Sequence, residues 1–495
     1  MKIFSKSQIQ AADAYTIANE PIASIDLMER AARACYDWFN KNIDRSQSIS
    51  IYCGQGNNGG DGLALARMLR AAGYNVSAHI LEHSKATSHD FNENLERLNG
   101  RKIPVKIAKN AAELNEDSAD VIVDALLGSG LNKPLQGFLV DAVTFLNQQK
   151  AQKISIDIPT GLFVDSNKQN NTDAIFKADT TLTFQFPKWS FLFPEFGQFA
   201  GEFHVLSIGL DLNFIDKTET NNYFIDKDFI SDLLPKRNKF DHKGTFGHAL
   251  IIAGSYGKIG ASILASRAAL KTGAGLVSCY LPSCGVIPMQ SANPEIMVIA
   301  DAEEKQISHI EFDIKPTAIG IGPGLGTATS TKEALLQFLK IQKNPVVLDA
   351  DALNLLAENK AWNFLPENSI LTPHLGELDR ILGARYRGED MYEHARDFAI
   401  KQNIILLVKG AHTAIYQPNG NVCFNSSGTN GMATAGSGDL LTGMITGLLA
   451  QGMNPEHAAI VAVYLHGKAG QKAAQHLGNA AMIAGDIISH INIPN

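Results

Sequence analysis

Cysteine is scarce and scattered: five residues in 495, Cys35, Cys53, Cys279, Cys284 and Cys423, with no C-x-x-C spacing. That excludes a disulfide framework and a zinc knuckle, and a reducing compartment is expected. No run approaches the ~18 consecutive apolar residues of a membrane span, and the opening MKIFSKSQIQAADAY lacks the continuous apolar stretch of a secretory signal. Basic runs are missing too. With 43 Lys and Arg against 50 Asp and Glu, the formal net charge is -7, so no nucleic-acid partner is expected and any phosphate must be held by local groups. Neither half contains G-x-x-x-x-G-K-[ST], which excludes a P-loop nucleotidase. The expectation is a soluble, cytoplasmic protein with neither membrane nor nucleic acid as partner.

What is present is a globular composition, 45% hydrophobic and 19% charged, in a chain long enough for two or three cores. Ser5 or Ser7, each with Gln three residues on, offers a capping box for a helix through Ala18, and residues 25–40 repeat apolar side chains at helical spacing. A β-type run over 48–53 leads into the glycine-rich turn GQGNNGGDG, residues 54–62, and then a helical pattern over 63–72. Strand, glycine turn and helix form the layout of a phosphate-binding βα unit. Further strands are expected at 75–81, 119–125 and 153–158, and helices at 88–98 and near 138–148. This βαβ alternation predicts a parallel, doubly wound sheet, which binds ligands at the carboxyl ends of its strands. Three loops fall at such ends: 57–62, 128–134 after Asp124, and 157–161. Asn58, Asp124 and Thr160 all offer oxygen donors there.

The second half repeats the pattern without repeating the sequence. Expected strands at 247–253, 275–281, 318–321, 345–348, 370–372 and 404–408 run into GSYGKIGAS, GPGLG, DADALN, PHLGE and KGAHT. The most informative stretch is NGMATAGSGDLLTGMITG, residues 430–447. Small residues up to Gly438 let a ligand approach the backbone, and Asp439 opens an apolar helical run over 440–449. Free N–H groups at such a helix start hold an anion, and a carboxylate beside it can take a proton from an attacking hydroxyl. Residues 214–223, polar and without periodicity, are expected to be a linker, dividing the chain into domains 1–218 and 219–495.

On the motifs GNNGGDG, VDALLGSGLNKP, DIPTGL, ADTTLTFQFPK and LSIGL, the first half resembles the YjeF N-terminal family, the NAD(P)H-hydrate epimerases. That resemblance implies a Rossmann-like domain in which Asn57, Asn58, Gly59, Gly60 and Asp61, with Gly128, Ser129, Gly130, Leu131, Asn132, Lys133 and Pro134, contact the hydrated cofactor. It also implies a K⁺ on Asn58, Asp124 and Thr160 and a substrate contact from Asp157. Thr160 stands where Ser is commoner, which keeps the hydroxyl. Trp189-Ser190 after Pro187-Lys188 departs from the usual glycine, and nothing is carried over for that loop. The resemblance leads to acid/base-assisted opening and reclosing of the hydrate, with Asp124 as the candidate group.

On KGTFGH, GPGLG, LDADALN, LTPHLGE, KGAHT and NGMATAGSGDLLTG, the second half resembles the ribokinase-like ADP/ATP-dependent NAD(P)H-hydrate dehydratases. By that resemblance Ala261, Gly324 and His374 meet the hydrated nicotinamide. Lys409, Gly410, Ala411, His412, Thr413 and Gly438 hold the adenine nucleotide, Mg²⁺ bridges its phosphates, and Asp439 is the base at the reacting hydroxyl. Together the two halves imply repair of NADHX and NADPHX, the hydrates of the reduced nicotinamide cofactors, with ADP or ATP as co-substrate. A homo-oligomer is expected. The alternative is an ordinary small-molecule kinase of the ribokinase superfamily whose N-terminal half is a non-catalytic binding module.

Overall fold

The computed structural model describes residues 1–99, 103–234 and 236–493. The chain divides into two compact units, Lys2–Thr220 and Asn221–Asn495, the latter joined by Met1.

The first unit is built on seven strands: β1 Ser48–Cys53, β2 Asn75–Leu81, β3 Val105–Ala108, β4 Val121–Ala125, β5 Gln152–Ile156, β6 Thr180–Phe184 and β7 Glu202–Leu206. Their order is β3-β2-β1-β4-β5-β6-β7, and every pair is parallel. The strand order reverses between β1 and β4, so the loops after these two strands flank the crevice where such sheets bind ligands. The first helix, Lys6–Asn19, starts at the expected capping box, with Gln8 N donating to Ser5 Oγ and Ser5 N to Gln8 Oε1. One expectation is corrected. Only Gly54 to Gly56 form the turn; the rest of the glycine-rich stretch already belongs to the helix, Asn57–Ala71, with Gly56 as its N-cap. The reason is packing: a Cβ on Gly59 would lie 1.9 Å from the Gly54 carbonyl oxygen, and one on Gly62 would meet Ala125 and Cys53. The glycines let this helix lie directly on the strand ends.

The second unit has ten strands: β8 Asn222–Ile225, β9 His248–Ile252, β10 Leu276–Pro282, β11 Met297–Asp301, β12 Ala318–Ile321, β13 Val346–Leu348, β14 Ile370–Leu371, β15 Ile405–Val408, β16 Ala414–Tyr416 and β17 Val422–Asn425. They are ordered β11-β10-β9-β12-β13-β14-β15-β16-β17-β8. The pairs are parallel except β15 with β16 and β16 with β17. The division between the units, after Thr220, falls inside the expected linker at 214–223, but both flanks of that stretch are structured. Residues Leu212–Lys217 form a helix capped by Asp211, whose Oδ1 accepts from Phe214 N, and β8 begins at Asn222. Acidic, polar residues read as a linker because a short capped helix and an edge strand bury too little to show periodicity.

The helix Ser437–Ala450 lies at the centre of this unit, burying Leu440, Leu441, Met444, Ile445 and Leu448. Each such side chain stabilises by about 1.5–3 kcal/mol. Gly443 faces the Ala265 carbonyl, where a Cβ would approach to 2.0 Å. That contact brings the helix Ile259–Lys271 close and fixes where the Ser437 end points.

Candidate active sites

In the first unit the carboxyl ends of the strands surround a cavity of about 520 Å³. Asn57, Asn58, Asp61, Gly128, Ser129, Gly130, Leu131, Asn132 and Asp157 line it, as do Ile9, Gln10 and Asp13 from the first helix and Lys188 from the loop after β6. Asp157 follows β5 with φ +65, a left-handed conformation uncommon for a non-glycine residue and costly enough to mark a functional position. Its Oδ2 accepts from Ser129 N at 3.2 Å, and its Oδ1 lies 2.9 Å from Lys188 Nζ. Lys188 is fully buried, its remaining protons directed to the carbonyls of Phe184 and Phe186. Withdrawal from water, with the like charge of Asp157 outweighing Lys188, raises the Asp13 carboxyl to about 6. Asp61 is raised well above the usual carboxylate range by the same desolvation and by Asp157, Asp13 and Asp90.

Asp124 sits beneath this floor, fully buried. Oδ1 accepts from Leu126 N and Thr160 Oγ1, Oδ2 from Thr160 N and Ser155 Oγ, at 2.7–3.2 Å. Burial raises it to about 6 despite these donors. Nearby, Asn58 Nδ2 is buried without a hydrogen-bond partner among the described residues. A half-turn of that amide about its Cβ–Cγ bond presents its oxygen in the same place. Asn58, Asp124 and Thr160 carry oxygen donors of the hard type, and a monovalent cation among them would replace some of the hydrogen bonds that Asp124 and Thr160 now make to each other, Leu126, Leu127 and Ser155.

In the second unit Asp439 stands in the first turn of the Ser437–Ala450 helix, whose N-cap Gly436 has φ +88. Burial, then the like charge of Asp349, raises Asp439 to about 6 against the opposing pull of Lys409. Asp349 ends β13 and is buried, its Oδ1 2.8 Å from Lys409 Nζ and its Oδ2 2.8 Å from Thr442 Oγ1. Glu377 Oε2 lies 4.0 Å from the same ammonium. Burial alone would lower Lys409, but Asp349 and Glu377 raise it overall. A Cβ on Gly438 would stand 3.3 Å from Lys409 Nζ, so the missing side chain leaves the ammonium and the helix start open to one anion. Behind Ser437, His466 Nε2 lies 3.4 Å from the hydroxyl and is pushed down to about 4 by burial and by Lys409.

His374 caps the helix Leu375–Leu382, its Nδ1 accepting from Gly376 N and Glu377 N, which leaves Nε2 on a half-exposed ring. Gly324, φ +59, would with a Cβ approach the Lys258 carbonyl to 2.8 Å and Ala261 to 3.1 Å, so these two predicted contacts adjoin. Lys409 to Thr413 form the β15–β16 turn, where Thr413 Oγ1 donates to the Gly410 carbonyl. His412 Nδ1 lies 3.0 Å from the Asn425 carbonyl.

Two family models match the chain. The YjeF-related protein N-terminus covers residues 24–190 and NAD(P)H-hydrate dehydratase covers 249–492. The bifunctional NAD(P)H-hydrate repair enzyme of Moorella thermoacetica is 33% identical over 99% of this chain and 96% of its own. The chain belongs to the bifunctional NAD(P)H-hydrate repair enzymes. The Coxiella burnetii repair enzyme is likewise 33% identical, over 95% of each chain. A solved ADP/ATP-dependent NAD(P)H-hydrate dehydratase from Bacillus subtilis, co-crystallised with ATP/Mg²⁺, aligns with 54% of this chain and 96% of its own at 29% identity, with a TM-score of 0.48.

Membership in this repair family makes the chain an epimerase joined to a dehydratase and decides against the plain kinase with a non-catalytic module. Within its first site the structure brings together most of the expected residues. Gly59 and Gly60 do not line the cavity but pack, Gly60 against Met28. Lys133 and Pro134 are exposed beyond it, and Asp124 and Thr160 lie beneath. The sequence reading missed Asp13 and Lys188 in the first unit, and Asp349, Glu377 and His466 in the second. Lys188 could have been found, since it follows β6 at a fourth strand end of the kind that drew attention to the other three.

Proposed function

We propose that residues 1–218 interconvert the R and S forms of NADHX and NADPHX, and that 219–495 dehydrate the S form to NADH or NADPH at the expense of ADP or ATP. With ADP the products are AMP and phosphate. The observation that carries the second half is Asp439 at an open, glycine-lined helix start, facing the Lys409–Asp349 pair.

Hydroxide is a poor leaving group from the reduced ring. Asp439 takes the proton of the C6 hydroxyl as that oxygen attacks the terminal phosphoryl group. The N–H groups of the helix start and Lys409 carry the charge on the group in transfer. Phosphate then leaves C6 as a proton leaves C5, which restores the C5–C6 double bond. Lys409 to Thr413 and Gly438 hold the nucleotide, and Ala261, Gly324 and His374 face the hydrated ring. Mg²⁺ would neutralise the nucleotide phosphates. Among the described residues no three carboxylate, His or Cys groups form a cage for it, in keeping with an ion held by one or two carboxylates and the substrate's own phosphates.

In the first unit the cavity residues Asn57, Asn58, Asp61, Gly128 to Asn132 and Asp157 take the hydrate, and Asn58, Asp124 and Thr160 hold K⁺. Asp124 lies outside the cavity lining with each oxygen accepting two hydrogen bonds, so we assign it to the cation, which would replace some of these donors, and the proton transfer expected of it to a group among the residues that line the cavity. The enzyme is expected to work in the cytoplasm as a homo-oligomer. Asp439→Asn tests the reading. NADH absorbance recovered from the S hydrate with nucleotide should fall by ~10² or more, and near-normal turnover would remove Asp439 from the chemistry.

A further inference from the structure

We propose that Asp13 is the proton shuttle of the first site, a role that rests on that unit being the epimerase. Asp13 lies outside residues 24–190, the stretch matched by the epimerase family model. It comes from the helix Lys6–Asn19, where Ile9 and Asp13, four residues apart, share the face that lines the cavity. That helix is tied at both ends. Lys6 Nζ donates to the Gly130 carbonyl at 2.6 Å, and Thr16 Oγ1 accepts from Asp211 N at 2.9 Å. Asp13 is therefore held over the 128–132 loop.

The groups facing Asp13 decide which carboxyl can move a proton. Asp157 and Lys188 on the loops after β5 and β6, and Asp61 on the Asn57–Ala71 helix, are the charged side chains that act on it or that it acts on. Asp157 is committed, one oxygen on Lys188 and the other on Ser129 N, and Lys188 spends its remaining protons on two carbonyls. Asp61 sits on the Asn57–Ala71 helix among three other carboxylates, Asp157, Asp13 and Asp90, and with burial these raise it well above the usual carboxylate range. Asp13, near 6, exchanges a proton readily in both directions around neutral pH, which is what a shuttle needs.

The chemistry balances with one such group. Asp13 carboxylate takes the proton of the C6 hydroxyl, the C6–N1 bond breaks with its electron pair moving to N1, and the proton passes from Asp13 to N1. An open-chain aldehyde results. Rotation about C5–C6 exposes the other carbonyl face, N1 attacks it, and Asp13 carries the proton back to oxygen. No oxidant, nucleotide or net proton is consumed.

The test uses the intact protein with the R hydrate and no nucleotide, following the R and S forms by chromatography above the spontaneous rate. Asp13→Asn should lower kcat for epimerisation by ~10² or more with KM little changed. The unaltered enzyme should gain rate with rising pH through about 6. The Asn variant should lose that limb and Asp13→Glu should recover it in part. Dehydration of the S form by the same preparation, with ADP added, reports that each variant is folded. If the unaltered enzyme interconverts nothing, the epimerase assignment of this unit fails. If it does and Asp13→Asn keeps its rate, or loses only substrate affinity, the shuttle is overturned.

Discussion

Lys409 Nζ sits 2.8 Å from Asp349 Oδ1 while Thr442 holds the other oxygen, so a buried carboxylate stands between the Lys409 ammonium and the helix that carries Asp439. Asp349 does two things from one place. It aims Lys409, and its charge adds to the larger effect of burial in raising the Asp439 carboxyl to about 6. Ala350 follows it with φ +50, and a Cβ at Gly322 would meet the Asp349 carbonyl oxygen at 1.9 Å. The backbone there is over-determined by its surroundings.

This gives a pH signature for the dehydratase. A base raised to about 6 is inactive while protonated, so kcat for the S form should rise with pH through about 6. Asp349→Asn removes the like charge, and the limb should move to lower pH by about one pH unit, while turnover falls as Lys409 loses its partner. Thr442→Val, which keeps the charge, should leave the limb in place. A pH–rate profile over 4.5 to 8 decides, and an unmoved limb in Asp349→Asn would leave that residue a scaffold only.

A second expectation concerns the K⁺ proposed for the first unit. Replacing K⁺ by choline should slow epimerisation and spare the comparison of S-form dehydration. Removing the one carboxylate by Asp124→Asn should raise the K⁺ concentration for half-maximal rate ~10-fold or more, since even outer-shell ligand partners cost that much. Epimerisation indifferent to K⁺ in both proteins would make Asp124 a buried cap bonded to Thr160.

The glycines of the Asn57–Ala71 helix make a third, structural prediction. Gly59→Ala forces a methyl toward a backbone oxygen at 1.9 Å and should cost about 3 kcal/mol, the upper range for overpacking. Gly130→Ala has open space around it and should change stability by less than about 0.5 kcal/mol. Thermal unfolding of the two variants compares them directly. Equal melting temperatures would show that the helix can lift from the strand without loss.

Much of this protein is determined by local chemistry that sequence carries. Alternating apolar strands and helices specify parallel layers whatever surrounds them, and β1, β2 and β12 fall at the residues their apolar runs predict. Glycine before a helix start with Asp439 behind it is a local device, and so are the polar loops at strand ends. Three things were settled only when distant segments met. Residues 57–62 of the glycine stretch are helix because strand ends press against them, a reason no local propensity contains. The far end of the expected linker is a strand because β8 finds β17, two hundred residues away. The carboxylates of the first site differ because of what the fold places beside each. Asp124 is buried under donors from β5 and Thr160, Asp157 is locked by Lys188, and Asp13 arrives on a helix from the chain's start. A side chain's proton affinity depends on burial and neighbouring charge, and both are properties of the tertiary structure.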